Sequence, residues 1–217
     1  PDTMLVLLSA PARVYSNDVD YEYRQDSNLY YLTGITQEDT ALVLMPGNAT
    51  KREFLFILDR NPEREHWTGR RLSRDEARAQ TGIATVLSAS QFNAFIGGVL
   101  SRRGFGSTID GTEAAAYFAA LGEGRARLAV AMEDAGPDDP PSRPQVFLQR
   151  LRDRYLGYVG VDAGPILRGL RMVKTPYELK MLTTAADISA DAQLAGMREA
   201  SPGKFEYQVK EIGRAHV

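Results

Sequence analysis

Tyr21-Glu22-Tyr23-Arg24-Gln25-Asp26-Ser27-Asn28-Leu29-Tyr30-Tyr31-Leu32-Thr33-Gly34 is the most informative segment of this chain. Asp26-Ser27-Asn28 can cap exposed backbone N–H groups, so we expect a helical turn to begin there. Gly34 can end that turn because glycine adopts a positive φ at little cost. Leu29, Tyr30 and Leu32 are expected to face inward. Composition alone predicts a tyrosine-rich packing segment around a buried or half-buried Arg24.

Composition narrows the class of protein around this segment. The chain has 217 residues, of which 43% are hydrophobic and 25% charged, which is ordinary for a globular protein of one or two domains. A net charge of −2 gives no electrostatic case for nucleic-acid binding, and the lack of Cys removes disulfide and thiolate chemistry. No apolar run reaches the roughly 20 residues of a membrane span. We therefore expect a cytoplasmic protein, although a chain starting at Pro1 leaves an upstream targeting segment open.

Apolar runs predict the first strands of a sheet. Met4–Leu8 is a continuous apolar run of strand length, which is typical of a strand covered on both faces. Thr40–Met45 and Glu53–Leu58 are two further strands, and the turn Pro46-Gly47-Asn48 between them predicts an antiparallel pair.

Helix and strand patterns alternate beyond these strands. Ser73–Glu76 and Ser88–Gln91 are capping boxes that predict helix starts, with Gly82 as the stop of the first helix. The second helix is expected to reach about Arg103. The further predictions are strands over Ala84–Leu87, Phe105–Ile109 and Tyr158–Val161, and helices over Glu113–Leu121, Arg125–Ala135 and Arg143–Leu156. Together these elements indicate an α/β fold, a mixed sheet with helices on its faces.

A domain boundary is expected near Asp162–Lys174. Thr175-Pro176-Tyr177-Glu178 combines an N-cap, a proline at the first helical position and a capping-box glutamate, so it predicts a helix start. This helix should run to about Ala200, and Phe205–Glu211 should begin another. Its expected apolar face comprises Met181, Ala185, Ile188, Ala192 and Ala195.

Three blocks of the sequence resemble the aminopeptidase P group of the creatinase/prolidase family. The first is Arg24–Gly34, with its polar residue, Ser, aromatic pair and Thr-Gly. The second is Trp67-x-Gly69-Arg70-Arg71. The third joins Arg171, Lys174 and Thr175-Pro176-x-Glu178 to Pro202-Gly203-x-x-Glu206. The resemblance implies a creatinase-type, ribonuclease H-like N-terminal domain over residues 1–168 and the start of a truncated pita-bread catalytic domain over residues 169–211.

The resemblance also implies an activity. Members of this family are metallopeptidases that release an N-terminal residue preceding proline, and two divalent ions, often manganese, are bound by two Asp, one His and two Glu. Those ligands are expected beyond this chain, so no catalytic or metal-binding residue is assigned in it, and the fragment alone is expected to be inactive. A dimer or tetramer is expected. Prolidase and a non-catalytic creatinase-like binding module remain alternatives.

Trp67 is the one candidate site residue. As the only Trp, in a polar loop before a capped helix, it suits either packing on its own domain or an interface contact. The resemblance favours the interface, because the matching loop of the family reaches towards a neighbouring subunit. Trp67 is thus expected to line the substrate pocket of another subunit.

Two charged segments could indicate a metal site and a nucleic-acid patch, and neither interpretation is favoured. Asp18-Val19-Asp20 is an Asp-x-Asp pair, but no accompanying His or Glu set favours a metal site there. The arginines between Arg60 and Arg74 alternate with acidic residues, which favours a solvated, charge-mixed face over a nucleic-acid patch.

The last six residues are expected to be a non-native tail. Residues 212–217 depart from the family pattern, and Ile-Gly-Arg-Ala-His-Val can be encoded by ATC GGA AGA GCA CAC GTC, which resembles sequencing-adapter DNA.

Overall fold

The computed structural model describes residues 1–17, 19–132 and 136–214. Over these residues the strands are β1 (Thr3–Leu8), β2 (Val14–Ser16), β3 (Val19–Asp20), β4 (Ala41–Leu44), β5 (Glu53–Ile57), β6 (Thr85–Ser88), β7 (Ala126–Val130) and β8 (Tyr158–Asp162). The helices are α1 (Ser27–Thr33), α2 (Pro62–Thr68), α3 (Arg74–Thr81), α4 (Phe92–Leu100), α5 (Ala115–Gly122), α6 (Arg143–Arg152), α7 (Gly164–Met172), α8 (Pro176–Glu199) and α9 (Glu206–Arg214).

Six of these strands form one mixed sheet in the order β6-β5-β4-β1-β7-β8. β4 runs antiparallel to both neighbours, with Val6 opposite Val43 and Val43 opposite Phe54, whereas the other pairs are parallel. The predicted antiparallel pair and the predicted α/β class with a mixed sheet are therefore confirmed. β2 and β3 form a separate two-stranded ribbon.

Apolar cores cover both faces of the sheet, as the continuous apolar run of β1 predicts. Met4 and Val6 pack in one core together with side chains of α4, α5 and α6. Leu7 packs in the other core, with Leu29 of α1 and Leu167 of α7. Both cores draw on residues up to Leu167 within the described chain.

Side-chain caps fix the helix starts that the sequence predicts. Asp26 accepts hydrogen bonds from the backbone N–H groups of Asn28 and Leu29, and Gly34 closes α1 with φ 66°. Capping boxes start α3 at Ser73, the 3-10 turn Ala89–Gln91 at Ser88, and α8 at Thr175. Because each motif satisfies its own backbone groups locally, sequence alone locates it.

The predicted helix over Arg125–Ala135 is wrong for its first half. Residues 126–130 form β7, an interior strand between β1 and β8, while residues 133–135 lie outside the described chain. Ala126, Leu128 and Val130 are buried in one core and Ala129 in the other. Burial on two faces and ladders on two edges override the helix-forming tendency of Ala, Arg and Leu.

Two shorter predictions also need correction. Phe105–Ile109 is a turn closed by the Phe105 N–H donating to the Ile109 carbonyl at 2.7 Å, rather than a strand. The region Asp162–Lys174, expected only as a boundary, contains α7. The Asp162 carboxylate accepts a hydrogen bond from the Gly164 N–H at 2.7 Å, which satisfies one N–H at the start of that helix.

The segment from Tyr21 to Gly34 is less buried than predicted. Leu29 is fully buried, but Tyr21, Tyr30 and Arg24 are exposed, and Tyr30 retains 52% of its accessible surface. The last residue of α1, Thr33, is buried instead, and its hydroxyl donates to the Leu29 carbonyl at 2.7 Å. The segment is therefore anchored by one side of α1 and not by a tyrosine cluster.

The chain divides into two compact units, residues 1–167 and 168–217. In the second unit, α8 runs as predicted, and it buries none of its side chains in the described structure. Met181 and Ile188 of its expected apolar face retain 42% and 38% of their accessible surface. α9 includes residues 212–214, and Ala215, His216 and Val217 of the expected tail lie outside the described residues.

Candidate functional site

The candidate site is a hydrogen-bonded network that joins the first two sequence blocks. It comprises the segment Tyr23–Gly34, the turn Gln37-Glu38 and the segment from Arg60 to Glu76, which contains α2. We call it the motif network. Trp67 lies in the last turn of α2, so the loop that the sequence predicts for this residue is wrong.

Gln25 is the buried centre of the first block. Its Oε1 accepts hydrogen bonds from the Ala10 N–H at 3.2 Å, the Tyr23 hydroxyl at 2.9 Å and the Asp26 N–H at 2.9 Å. Its Nε2 donates to the Gln37 carbonyl at 2.7 Å. Only 8% of Gln25 is accessible, so these partners replace its water. Burial also raises the pKa of the Tyr23 hydroxyl, which keeps that group a donor.

The turn at Gln37 carries the network to the second block. Gln37 Oε1 accepts a hydrogen bond from the Leu72 N–H at 2.5 Å, and Glu38 pairs with the Arg71 guanidinium at 2.8 Å. The Arg71 side chain is 14% exposed, so this pair is partly shielded from water. The two blocks are 33 or more positions apart in sequence but meet at this turn.

Glu65 ties α2 to the residues on either side of it. Its carboxylate accepts two hydrogen bonds from the Arg60 guanidinium, at 2.8 and 2.7 Å, and one from the Arg71 N–H at 3.4 Å. The hydrogen bonding from Arg60 lowers the pKa of Glu65 to about 2. Both ends of the seven-residue α2 are thereby fixed through one side chain.

Further ion pairs continue along the same segment. Arg70 pairs with Glu76, and Arg74 pairs with Asp59 at 2.6 Å. Hydrogen bonds from Ser88 and then Arg74 lower the pKa of Asp59, and the Ser73 N–H and Arg70 lower the pKa of Glu76 to about 2. Each of these arginines has an acidic partner, which agrees with the predicted charge-mixed face.

Metal binding has no counterpart in this network. Among residues 1–17, 19–132 and 136–214, no group of three or more His, Cys, Asp or Glu side chains could hold a metal ion. His66 lies in α2, while Asp18 and His216 fall outside the described residues. The two-manganese site that the resemblance implies is expected beyond this chain, so the described residues do not test it.

Several residues of the network carry no signal in the sequence. Gln25 stands next to the more conspicuous Arg24, and nothing in the sequence alone indicates that it is the buried member of the pair. The ion pair of Arg60 with Glu65 was not predicted either, because the sequence indicated only that basic and acidic residues alternate in this segment. The contacts of Gln37 and Glu38 depend on tertiary structure, which a linear motif does not encode.

A membrane-spanning helix is not found in the part of the chain that the structure describes.

Comparisons with known proteins agree with the sequence blocks. Residues 1–106 match the family model described as aminopeptidase P, N-terminal domain. A Xaa-Pro aminopeptidase of Haemophilus influenzae is 25% identical over 97% of this chain and 42% of its own length. The Xaa-Pro aminopeptidase of Escherichia coli is 26% identical over 97% of this chain and 44% of its own length.

A solved aminopeptidase structure is also similar to this chain. The structure of Pseudomonas aeruginosa aminopeptidase PepP aligns with all of this chain and with 45% of that protein, at a TM-score of 0.72 and 27% identity. The chain thus spans less than half the length of the relatives it matches. Residues 1–106 match the aminopeptidase P N-terminal domain, and the chain as a whole is similar to the N-terminal region of Xaa-Pro aminopeptidases.

Proposed function

We propose that this chain is the N-terminal part of a metal-dependent Xaa-Pro aminopeptidase, a hydrolase that removes an N-terminal residue preceding proline. The observation that carries the proposal is the match to Xaa-Pro aminopeptidases over 97% of the chain. The matches continue past residue 106 into the second unit, so they are not confined to the N-terminal domain.

The proposal places the chemistry outside these 217 residues. Residues 1–168 form the N-terminal domain, and residues 169–211 begin a pita-bread catalytic domain whose later sequence binds two manganese ions. The support is the similarity of the chain to 42–44% of its relatives' length and the division into units after Leu167. This chain alone is then inactive, and the cytoplasmic location stays a prediction.

The motif network has a positioning role in this proposal. It holds α2 through Glu65, Arg60 and Arg71, and α2 carries Trp67. In a dimer or tetramer, Trp67 would line the peptide pocket of a neighbouring subunit. The proposal for Trp67 rests on the sequence resemblance together with the anchoring of its helix.

The experiment that tests the function uses the protein extended by the sequence that follows Glu211 in its gene. With manganese added, we expect hydrolysis of a tripeptide of the type Xaa-Pro-Xaa and none of the matched Xaa-Ala-Xaa. A protein that cleaves only the dipeptide Xaa-Pro would be a prolidase. A correctly folded, metal-loaded protein that cleaves neither substrate would overturn the proposal.

A further inference from the structure

A cleft of about 670 Å³ lies outside the motif network, on the sheet face that carries α4 and α6. Its lining includes Leu8, the last residue of β1, and Leu58, which follows β5. In open α/β sheets, ligands bind in the crevice beyond the carboxyl ends of the strands. The volume also falls within the roughly 300–1,000 Å³ range of small-molecule sites.

Aromatic rings form the apolar part of the cleft. Phe92 of α4 and Phe147 of α6 have ring centroids 5.9 Å apart, and Phe56 of β5 packs edge-on against Phe92 at 5.3 Å. Because these rings come from three separate elements, their positions are fixed by the core rather than by a loop. The cleft can therefore hold an apolar or aromatic group.

Two arginines of α6 line the same cleft, seven positions apart. Seven residues are close to two helical turns, so Arg143 and Arg150 share one helix face and are separated by about 10 Å along the axis. Val146 and Phe147 lie between them on this face. The face thus presents cationic groups on either side of an apolar centre.

The two arginines differ in their partners. Arg143 donates to the Ser9 carbonyl at 2.6 Å and to the Ser9 hydroxyl at 3.2 Å, and it lies 3.9 Å from Asp39. Across the described residues, the side chain of Arg150 makes neither a hydrogen bond nor an ion pair. No side chain in the described part of the protein therefore competes with an anion for the Arg150 guanidinium, which lines the same cleft as the aromatic rings.

We propose that this cleft binds a small carboxylate with an aromatic or aliphatic body. The carboxylate pairs with the planar guanidinium of Arg150, and the body packs on Phe92 and Phe147. A single negative charge suits the site, because Asp39 lines the same cleft and Arg143 is already engaged. The inference does not depend on the proposed peptidase activity.

The test is an NMR-monitored titration of the whole chain with 4-phenylbutyrate and, as the matched neutral ligand, 4-phenylbutanol. We expect saturable shifts at cleft residues and an affinity about tenfold higher for the carboxylate, as a charge-assisted hydrogen bond implies. Arg150→Gln should remove most of this preference and leave phenylbutanol binding unchanged. Arg152→Gln is the control, because Arg152 lies beside Gly160 on another side of α6.

Any of four results would overturn the proposal. The first is equal affinity for the carboxylate and the alcohol, and the second is an unchanged preference in Arg150→Gln. The third is an equal loss in Arg152→Gln, which would indicate general charge attraction. The fourth is no saturable binding of 4-phenylbutyrate below about 10 mM, which is weaker than a specific site of this size requires.

Discussion

Gln25 and Arg24 are adjacent in sequence but differ in burial and in hydrogen bonding. Gln25 is buried with four hydrogen bonds, whereas Arg24 is exposed. We predict that Gln25→Ala lowers the free energy of unfolding by about 1–3 kcal/mol, because the Ala10 and Asp26 N–H groups and the Gln37 carbonyl lose their partner. Chemical denaturation measures this change.

Arg24→Ala is the matched control for this prediction. An exposed side chain away from caps and core usually changes stability by less than about 0.5 kcal/mol. A loss in Arg24→Ala equal to that in Gln25→Ala would contradict the assignment of Gln25 as the anchor.

The lowered pKa of the Glu65 carboxylate leads to a second testable prediction. Hydrogen bonding from Arg60 lowers the pKa of Glu65 to about 2, against an ordinary value of 4.5. A lowered carboxylate pKa means that the contribution of Glu65 to α2 is present above pH 4.5 and is lost as the pH falls through about 2. We therefore predict that α2 keeps its amide protection at pH 3.

The measurement is an NMR titration of the Glu65 side chain. Arg60→Gln should move its midpoint back towards 4.5, while Arg125→Gln, which alters a remote pair with Glu123, should not. A wild-type midpoint near 4.5 would show that the Arg60 pair does not form in solution.

Trp67 carries the proposed contact with a neighbouring subunit. In the extended protein, we predict that Trp67→Ala lowers kcat/KM for peptides of three or more residues by about tenfold, as the loss of an aromatic anchor implies. The free energy of unfolding should stay unchanged, which denaturation of the same variant checks. Unchanged kinetics on longer peptides would refute the pocket role.

Among the secondary-structure elements, those with local signals are predicted best. The capping boxes at Ser73, Ser88 and Thr175 fix helix starts through contacts within four residues, so the sequence contains the whole interaction. The identity of β7 depends instead on two flanking strands and two cores. The local sequence of β7 favours a helix, and the residues form a strand because of their pairing and burial in the tertiary structure.

In the candidate site too, the contiguous motifs can be predicted from the sequence, whereas the contacts between distant residues cannot. The sequence blocks locate Trp67 and the Arg24–Gly34 segment, because each block is contiguous. The link between them runs through Gln25, Gln37 and Leu72, whose hydrogen bonds cross 12 and 35 positions. Contacts at such separations follow from the fold and have no local signal.

The assignment of β7 leads to a prediction about local stability. This strand lies between β1 and β8 and is hydrogen-bonded along both of its edges, whereas α2 is short and its described side chains are mostly exposed. We predict that amides 126–130 exchange only with global unfolding and that amides of α2 exchange faster. Hydrogen exchange followed by NMR measures both sets, and rapid exchange of 126–130 would contradict the central position of this strand.

At the scale of the whole molecule, the two units differ in how much of a core they hold. The described buried cores lie within residues 1–167, while α8 of the second unit has no buried residue. An unburied helix of 24 residues with apolar positions is what the first helix of a larger domain would present. This agrees with the proposal that a catalytic domain continues beyond this chain.

Sequencing of the gene through and past the codon for Glu211 tests that proposal most directly. We predict that the reading frame continues for about two hundred residues, the size of one further domain, and encodes two Asp, one His and two Glu in the family's ligand pattern. In the gene, the codons that follow the codon for Glu211 should then differ from those that encode residues 212–217 of this sequence. A frame that ends at Val217, or one that continues without those ligands, would contradict the assignment of this chain to a metal-dependent aminopeptidase.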